Sequence, residues 1–300
     1  MSSEYRIEKD SMGEVKVPKK YLYGAQTQRA LNNFPISGIC ISRPMIRALG
    51  VIKQGSAKIN SQLGNIPNDV AHAIQLAAQE VIDGKLDIHF PIDIYQTGSG
   101  TSSNMNVNEV IANRASELVP NLSEKIHPND HINFGQSSND TFPTAIRISG
   151  YIESKNSLIP ALKFLRETFL KKGNEYKHVV KTGRTHLMDA MPITFEQEFS
   201  GYARQIESGI ERIESVLNQM SELPMGGTAV GTGINTDPEF PQKFAKEISK
   251  LTGEAFREAE NHFEAQSTVD APAALSSQLK TIAVSIMKIV NDIRWMNSGP

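Results

Sequence analysis

Three long runs of apolar residues at helical spacing occur in the second half of the chain, and they constrain the fold more than any other feature. The runs extend from Leu158 to Phe169, from Phe199 to Met220 and from Leu275 to Ile293. Apolar residues repeated every three or four positions form one face of an amphipathic helix. The helix predicted around the second run, residues 194–223, would be roughly 45 Å long at 1.5 Å per residue. Helices of this length are typical of a bundle or an oligomer core.

The first half of the chain also favours helices. Residues 45–63 show the same periodicity, and an Ala-rich stretch at residues 70–82 predicts a second helix that ends at Gly84. The first forty residues are rich in Pro, Gly and Asn, and we expect them to be irregular. Alternation with a period of two, which indicates strands, is nearly absent. We therefore predict an all-α fold.

Composition argues against several classes of protein. The formal net charge is -2 and the sequence pI is about 6.4, which does not favour binding to nucleic acid or to an acidic membrane surface. Cys40 is the only cysteine, so neither a disulfide framework nor a Cys-ligated iron–sulfur cluster can form within the chain. We see no secretory signal and no stretch approaching 18 uncharged apolar residues. We expect a cytoplasmic protein without membrane or nucleic-acid partners.

Four segments rich in small polar residues interrupt the helical pattern. They are TGSGTSSNMN at residues 97–106, HPNDH at 127–131 together with QSSNDT at 136–141, GRTHL at 183–187, and GGTAVGTG at 226–233. Their common content is small neutral hydrogen-bond donors with an occasional Arg or His, which suits a small dianion. The last segment matches neither GxGxxG nor a Walker A loop, and we predict a tight turn between helices there.

The first two segments allow two interpretations. Ser99, Thr101 and Asn104 carry donors just before a helix expected to begin near Asn104, and glycines there would let the backbone approach a carboxylate. Helix capping explains the same residues, and Ser138 or Asp140 could equally cap the next helix. The residues alone leave both interpretations open.

Histidines stand in two of the segments. His186 lies in a segment we expect to be a loop before the longest helix. Histidine is the residue type best suited to proton transfer near neutral pH, although a loop histidine is more often structural. His127, Asp130 and His131 have the residue types of a metal site. Because Pro128 follows His127, a Pro-Asn-Asp turn explains this composition without a metal. We predict no metal site.

Taken in order, these motifs resemble the fumarase/aspartase superfamily over essentially the whole chain. RIEKD at residues 6–10 and YGAQT at 23–27 look like the opening of class II fumarases and aspartases. The segments at 98–106 and 136–140 are similar to the first shared region of the family, and GRTH at 183–186 is similar to the second. His186 favours the class II fumarase family, because aspartases typically carry Gln at that position.

The resemblance implies the reversible, stereospecific hydration of fumarate to (S)-malate, a step of the tricarboxylic acid cycle. A base removes the C3 proton of malate, an aci-carboxylate forms, and hydroxide leaves C2. The resemblance makes His186 the catalytic acid–base partner on the side of water or the leaving hydroxyl. It assigns binding of the two carboxylates to Ser99, Gly100, Thr101, Ser137, Ser138, Asn139 and Thr185. No metal and no organic cofactor is implied.

The resemblance also implies a second anion site and an assembly. The second site would consist of His127, Pro128, Asn129 and Asp130, although Glu124 stands where several bacterial relatives have a basic residue. The family forms homotetramers around a long-helix bundle and builds each active site from three subunits. We expect an N-terminal lyase domain over residues 1–138 and a central helical bundle over residues 139–300.

The resemblance places the family's catalytic serine in a flexible loop that would follow Pro300, with further bundle helices and a C-terminal domain beyond it. We therefore expect residues 1–300 alone to be inactive. Two alternatives stay open from the sequence. One is an aspartase-type ammonia-lyase of the same superfamily, and the other is a non-catalytic structural protein on this scaffold.

Overall fold

Helices dominate the structure, and the predicted all-α class is confirmed for its main elements. A computed structural model of the chain describes residues 4–122 and 126–298. The α-helices in these ranges are α1 (Ala25–Asn33), α2 (Arg43–Gln62), α3 (Asn68–Ile82), α4 (Thr101–Leu118), α5 (Ser138–Glu153), α6 (Ile159–Glu175), α7 (Phe195–Met220), α8 (Phe240–Thr252), α9 (His262–Ser267) and α10 (Asp270–Met296). Single turns of π-helix precede α5 and α6, at Pro128–Ile132 and Ser154–Leu158.

Three small sheets depart from the all-α prediction. Two are antiparallel pairs, β1 (Tyr5–Asp10) with β2 (Gly13–Pro18) and β3 (Val180–Thr185) with β4 (Met188–Thr194), and one is a short parallel pair, β5 (Glu222–Leu223) with β6 (Arg257–Glu258). The expectation that the first forty residues are irregular was therefore wrong for β1, β2 and α1. The more buried face of β1 carries Arg6 and Glu8, whereas Ile7 is exposed. Hydrophobic alternation could not reveal a strand of this kind.

The internal contacts of the chain define two compact units. Unit 1 comprises Met1–Ser149 and Ser221–Val269, and unit 2 comprises Gly150–Met220 and Asp270–Pro300. In unit 1, α2 packs against α3 and α8, and α3 packs against α4. The domain boundary expected at residue 138 stays a prediction.

A buried carboxylate fixes the start of α1 in unit 1. Glu109 on α4 accepts hydrogen bonds from the backbone N–H groups of Gly24, Gln26 and Thr27, at 2.8, 2.8 and 3.1 Å. Negative charge at a helix N-terminus satisfies donors that lack partners within the helix. The YGAQT motif at residues 23–27 therefore forms a helix start bound to α4.

Unit 2 contains the long helices that the apolar runs predict. Helix α6 packs against α7, and α7 packs against α10. Ile206 and Ile213 on α7 and Ile282 and Ile289 on α10 are buried in one hydrophobic core. Gly209 lies so close to Ile282 that a Cβ at position 209 would stand 2.4 Å from its Cδ1. The helical periodicity of these runs is confirmed.

Helix α10 is also long and apolar enough, by length and composition alone, to be a candidate membrane span, and no other helix within residues 4–122 and 126–298 meets this criterion. The sequence had led us to expect none. Lys280, Lys288 and Asp292 interrupt the apolar residues of α10. Core helices of soluble proteins also meet the criterion, so it is weak evidence for a membrane.

Candidate active site

Helix α4 begins at a glycine that no other residue could replace without a shift. Gly100 is the N-cap of α4 and has a φ of 70°, in the left-handed region. A Cβ at this position would lie 2.2 Å from Cγ of Phe142 on α5, and both features favour glycine. The helix starts at Thr101, three residues before the position expected from the sequence. The close approach brings the Gly-Ser-Gly-Thr segment against the first turn of α5.

The first turn of α4 uses part of its hydrogen-bonding capacity within the protein. The backbone N–H of Ser102 donates to Oγ1 of Thr97 at 3.3 Å, and that of Ser103 donates to Oε1 of Gln96 at 2.8 Å. The hydroxyls of Ser99 and Thr101 bond to each other at 2.9 Å and lie near the surface. These two hydroxyls are therefore placed to reach a ligand at the helix N-terminus.

Asn104 joins the two polar segments that sequence analysis singled out. Its Nδ2 donates to Oγ of Ser138 and to Oδ1 of Asn133, both at 3.1 Å. Asn104 is buried and Ser138 is half-buried. The N-termini of α4 and α5 are therefore held side by side in unit 1. We call this pair of helix starts, residues 97–104 and 136–140, the polar cradle.

Ser137 and Asp140 form a reciprocal cap at the start of α5. Oγ of Ser137 accepts from the backbone N–H of Asn139 at 3.1 Å, and Oδ1 of Asp140 accepts from the N–H of Ser137 at 2.9 Å. Asp140 makes the return hydrogen bond of a capping box, whereas Ser137 accepts from the second helical residue and not from the third. Of the two alternatives, Asp140 and Ser138, Asp140 is thus a capping residue, and the second capping side chain is Ser137, which sequence analysis did not name. A ligand-binding role for Ser137, Ser138 and Asn139 stays a prediction.

Asp140 also holds the glycine-rich segment at residues 226–233. Its Oδ2 accepts from the backbone N–H groups of Gly226 and Thr228, at 3.1 and 2.9 Å. Asp140 is fully buried, and burial raises its pKa to about 6, against the effect of the hydrogen bonds that favour its charged form. Nδ2 of Asn139 donates to the carbonyl of Ala229 at 2.9 Å. The predicted tight turn therefore borders the polar cradle.

Lys53 on α2 belongs to the same network, and sequence analysis did not identify it. Its side chain is fully buried, and Nζ donates to Oδ1 of Asn133 and Oε1 of Gln136, both at 2.9 Å. Burial lowers the pKa of Lys53 to about 7, whereas attraction by Asp140 raises it. The available signal was a lysine on the helix face that also carries Leu49.

The predicted second anion site lies on an exposed turn. Pro128 begins the π-helical turn, and the N–H of Asp130 donates to Nδ1 of His127 at 3.3 Å. Asn129 and Asp130 line a cavity of about 730 Å³ that extends to Asn133, Gln136 and Ser137. Within the described parts of the chain, no group of three or more His, Cys, Asp or Glu side chains is arranged around a possible metal position. Glu124 lies outside the described residues.

His186 lies at the tip of a hairpin in unit 2. It forms a two-residue turn with Leu187 between β3 and β4, and both residues have positive φ, of 49° and 61°. Hairpin turns of this length favour positive φ at both positions, which are usually Asn and Gly. The expected loop before the longest helix is therefore a strained turn, with His186 exposed at its end. Strain of this kind concentrates at functional sites.

Thr185 is the last residue of β3 and pairs with Met188. It lines a cavity of about 1060 Å³ bordered by the hairpin, α7 and α10, and Lys181, Arg184 and Lys288 also line this cavity. Glu198 and Asp292 line the same cavity and pair with Lys181 and Lys288, so charges of both signs border Thr185 within unit 2. The structure brings the six predicted residues of unit 1 together, from Ser99 to Asn139. The roles of Thr185 and His186, which belong to unit 2, stay predictions.

Comparison with known proteins shows which family the chain resembles. A family model described as "Lyase" matches residues 13–300. The chain is 54% identical over 299 residues to the class II fumarate hydratase of Xylella fastidiosa, covering 100% of this chain and 63% of that protein. It is 55% identical over 298 residues to the class II fumarate hydratase of Corynebacterium glutamicum, covering 99% and 62%. The crystal structure of class II fumarase from Schistosoma mansoni superposes with a TM-score of 0.95 at 39% identity, covering 99% of this chain and 66% of that one. The chain thus spans less than two thirds of the length of these relatives, and its fold is that of a class II fumarase.

Proposed function

The chain belongs to the lyase family, and from this membership and the geometry of the polar cradle we propose that the protein is a fumarate hydratase. The reaction is the reversible hydration of fumarate to (S)-malate, which is a step of the tricarboxylic acid cycle. The contact between Asn104 and Ser138 carries the proposal, because it holds two helix N-termini side by side.

Two adjacent helix N-termini suit a small dicarboxylate. Each helix N-terminus carries a partial positive charge and directs N–H groups outward. Ser99 and Thr101 add hydroxyl donors at the start of α4, and Asn139 adds an amide at the start of α5. Neutral donors of this kind bind a carboxylate without a large positive surface potential. The formal net charge of -2 is compatible with such a site.

The same donors support the chemistry of proton abstraction at C3. Removal of that proton places a second negative charge on the neighbouring carboxylate, which becomes the aci-carboxylate. Fixed donors directed at developing charge stabilise it without reorganisation during the reaction. The backbone at Gly100 lies against the ring of Phe142, and the hydroxyl of Thr101 is hydrogen-bonded to that of Ser99. We propose that one substrate carboxylate binds there.

His186 is the proposed acid–base group on the side of water or the leaving hydroxyl. An imidazole changes charge near neutral pH and can exchange a proton with a hydroxyl group. The exposure of His186 at the tip of the hairpin supports this role, because its imidazole is accessible there. Thr185, next to it in β3, is the proposed donor to the second carboxylate.

The proposed assembly is a homotetramer whose active sites combine residues of three subunits. Val284, Met287, Val290 and Trp295 on α10 are exposed, and exposed apolar surface of this extent favours association with further helices. We propose that α10 packs against other copies of the chain, that the protein is cytoplasmic, and that it has no membrane or nucleic-acid partner. The second anion site at residues 127–130 is part of the same proposal.

The test is an assay of the protein in its natural length, purified from a host that lacks fumarase. Fumarate absorbance is followed after addition of (S)-malate, and ammonia is measured after addition of L-aspartate. We expect fumarate from malate and no ammonia from aspartate. Ammonia release would instead make the protein an aspartase-type lyase. Absence of both products from a folded tetramer would favour a structural protein on this scaffold.

A further inference from the structure

Lys53, which is hydrogen-bonded to Gln136 of the polar cradle, is unusual because it is a fully buried lysine. Lys53 is fully buried in the middle of α2, among the core residues of unit 1. A charged ammonium group in a protein interior is costly unless it is paired and hydrogen-bonded. Burial lowers the pKa of Lys53 to about 7, and the nearby Asp140 opposes that shift. Because burial of its ammonium group is unfavourable, we look for a role of Lys53 that an apolar side chain cannot supply.

The hydrogen bonds of Lys53 point to that role. Nζ donates to the side-chain oxygens of Asn133 and Gln136, which border the segment leading into α5. Nε2 of Gln136 in turn donates to the carbonyls of Ile132 and Phe134, at 3.1 and 3.3 Å. One ammonium group therefore holds both ends of the turn at residues 132–136.

The same network reaches a predicted ligand-binding hydroxyl. Oδ1 of Asn133 accepts from Lys53 and also from Nδ2 of Asn104, and that amide donates further to Oγ of Ser138. Lys53 is thus connected to Ser138 through two amide side chains. Without the ammonium group, the oxygens of Asn133 and Gln136 would lose a charged donor in a buried position.

We infer that Lys53 is a positioning residue for the substrate dicarboxylate, which holds the start of α5 in the geometry that binds a carboxylate. The inference rests on the proposed function and adds a residue to it. Lys53 acts through Asn133, Gln136 and Asn104, without touching the substrate. When it is protonated, Lys53 also places a positive charge next to the donors that meet the dianion, which strengthens their attraction for it.

The test compares Lys53→Met with Lys58→Met in the protein of natural length. Methionine keeps the length of the lysine side chain and removes its donors. We expect KM for malate and fumarate to rise about tenfold or more in Lys53→Met, with a much smaller change in kcat. Lys58 lies on the same helix and pairs with Glu247 at 2.7 Å, away from the network, so Lys58→Met should keep the wild-type KM.

The KM values distinguish a positioning role of Lys53 from a role in protein stability alone. A folded Lys53→Met protein with a wild-type KM would overturn the inference, even if its melting temperature falls. Gln136→Met removes one acceptor of Lys53 and provides the same test if Lys53→Met does not fold. If the wild-type protein turns over neither malate nor fumarate, the proposed function fails. In that case the dissociation constant for succinate, measured by calorimetry, tests the positioning role separately. Equal dissociation constants for Lys53→Met and wild type would overturn the inference.

Discussion

The ring of Phe142 on α5 packs directly on Gly100, the N-cap of α4, leaving no room for a side chain at position 100. A Cβ there would lie 2.2 Å from Cγ of the ring. A contact this short requires either the ring of Phe142 or the backbone at position 100 to shift. The spacing between the two helix starts of the polar cradle therefore depends on this one glycine.

Gly100→Ala should be strongly destabilising, and Gly64→Ala is its matched control. Both glycines have positive φ, of 70° and 77°, but a Cβ at Gly64 meets nothing within 4 Å. Alanine at position 64 should cost about 1 kcal/mol for the backbone strain alone. Alanine at position 100 should cost about 1–3 kcal/mol more, from overpacking. Urea unfolding of both variants measures the difference, and equal losses would show that Phe142 moves freely.

Thr101→Val should weaken substrate use with little change in stability. Valine keeps the shape of threonine but removes the hydroxyl bonded to Ser99. Hydrogen bonds to charged groups contribute about 1.5–3 kcal/mol, so kcat/KM for malate should fall roughly tenfold or more. Asn139→Ala should act in the same direction. Thr168→Val, at a surface hydroxyl of α6, is the control. Normal kinetics in both cradle variants would show that these residues only cap helices.

His186→Asn should reduce kcat by about 10²–10⁴-fold, the usual contribution of general acid–base catalysis. Asparagine tolerates positive φ and cannot exchange protons near neutral pH. Because His186 is exposed at a turn, circular dichroism should not change. His178→Asn, at another exposed histidine of unit 2, is the control. A kcat close to wild type would return His186 to a structural role.

Lys53 should make the stability of the protein depend on pH in the alkaline range. Its folded-state pKa of about 7 lies below the ordinary lysine value of 10.5, so the unfolded chain binds more protons between these values. The free energy of unfolding should therefore rise with pH in this window, by at most about 1.4 kcal/mol per pH unit. Urea unfolding of wild type and Lys53→Met across this range isolates the effect. The free energy of unfolding of wild type, relative to that of Lys53→Met, should increase as pH rises. A difference that does not change with pH would contradict the prediction.

A polypeptide limited to residues 1–300 should not dehydrate malate. The C3 proton of malate is weakly acidic, so its removal needs a positioned base, and residues 1–300 match only 63% of the Xylella fastidiosa enzyme. Refolding this polypeptide together with the remaining C-terminal part of a relative, such as the Xylella fastidiosa enzyme, should give low but measurable activity. Fumarate absorbance measures both preparations. Rapid malate dehydration by residues 1–300 alone, free of host fumarase, would overturn the assignment of the base.

Much of the helical architecture could be predicted from the sequence. The apolar periodicity of α2, α3, α6, α7 and α10 places their helices within a few residues of the observed bounds, because a buried helix face must repeat every three or four positions. The small sheets were missed, although β2 shows the ordinary alternation, with Val15 and Val17 facing inward and Glu14 and Lys16 exposed. In β1 the more buried face is polar and Ile7 is exposed, so the pattern that indicates a strand is reversed.

Some features of the candidate site could likewise be predicted from the sequence, and others could not. Its small polar residues and His186 stand out in the sequence because their residue types match the chemistry of a dicarboxylate. Only the tertiary structure decided that Asn104 bonds to Ser138, that Asp140 holds the segment at Gly226, and that a lysine 80 positions before Asn133 supports them from below. Local patterns determine which helices form, because period and capping act within a few residues. Contacts between distant residues depend on how those helices pack, and no local pattern in one sequence encodes that packing.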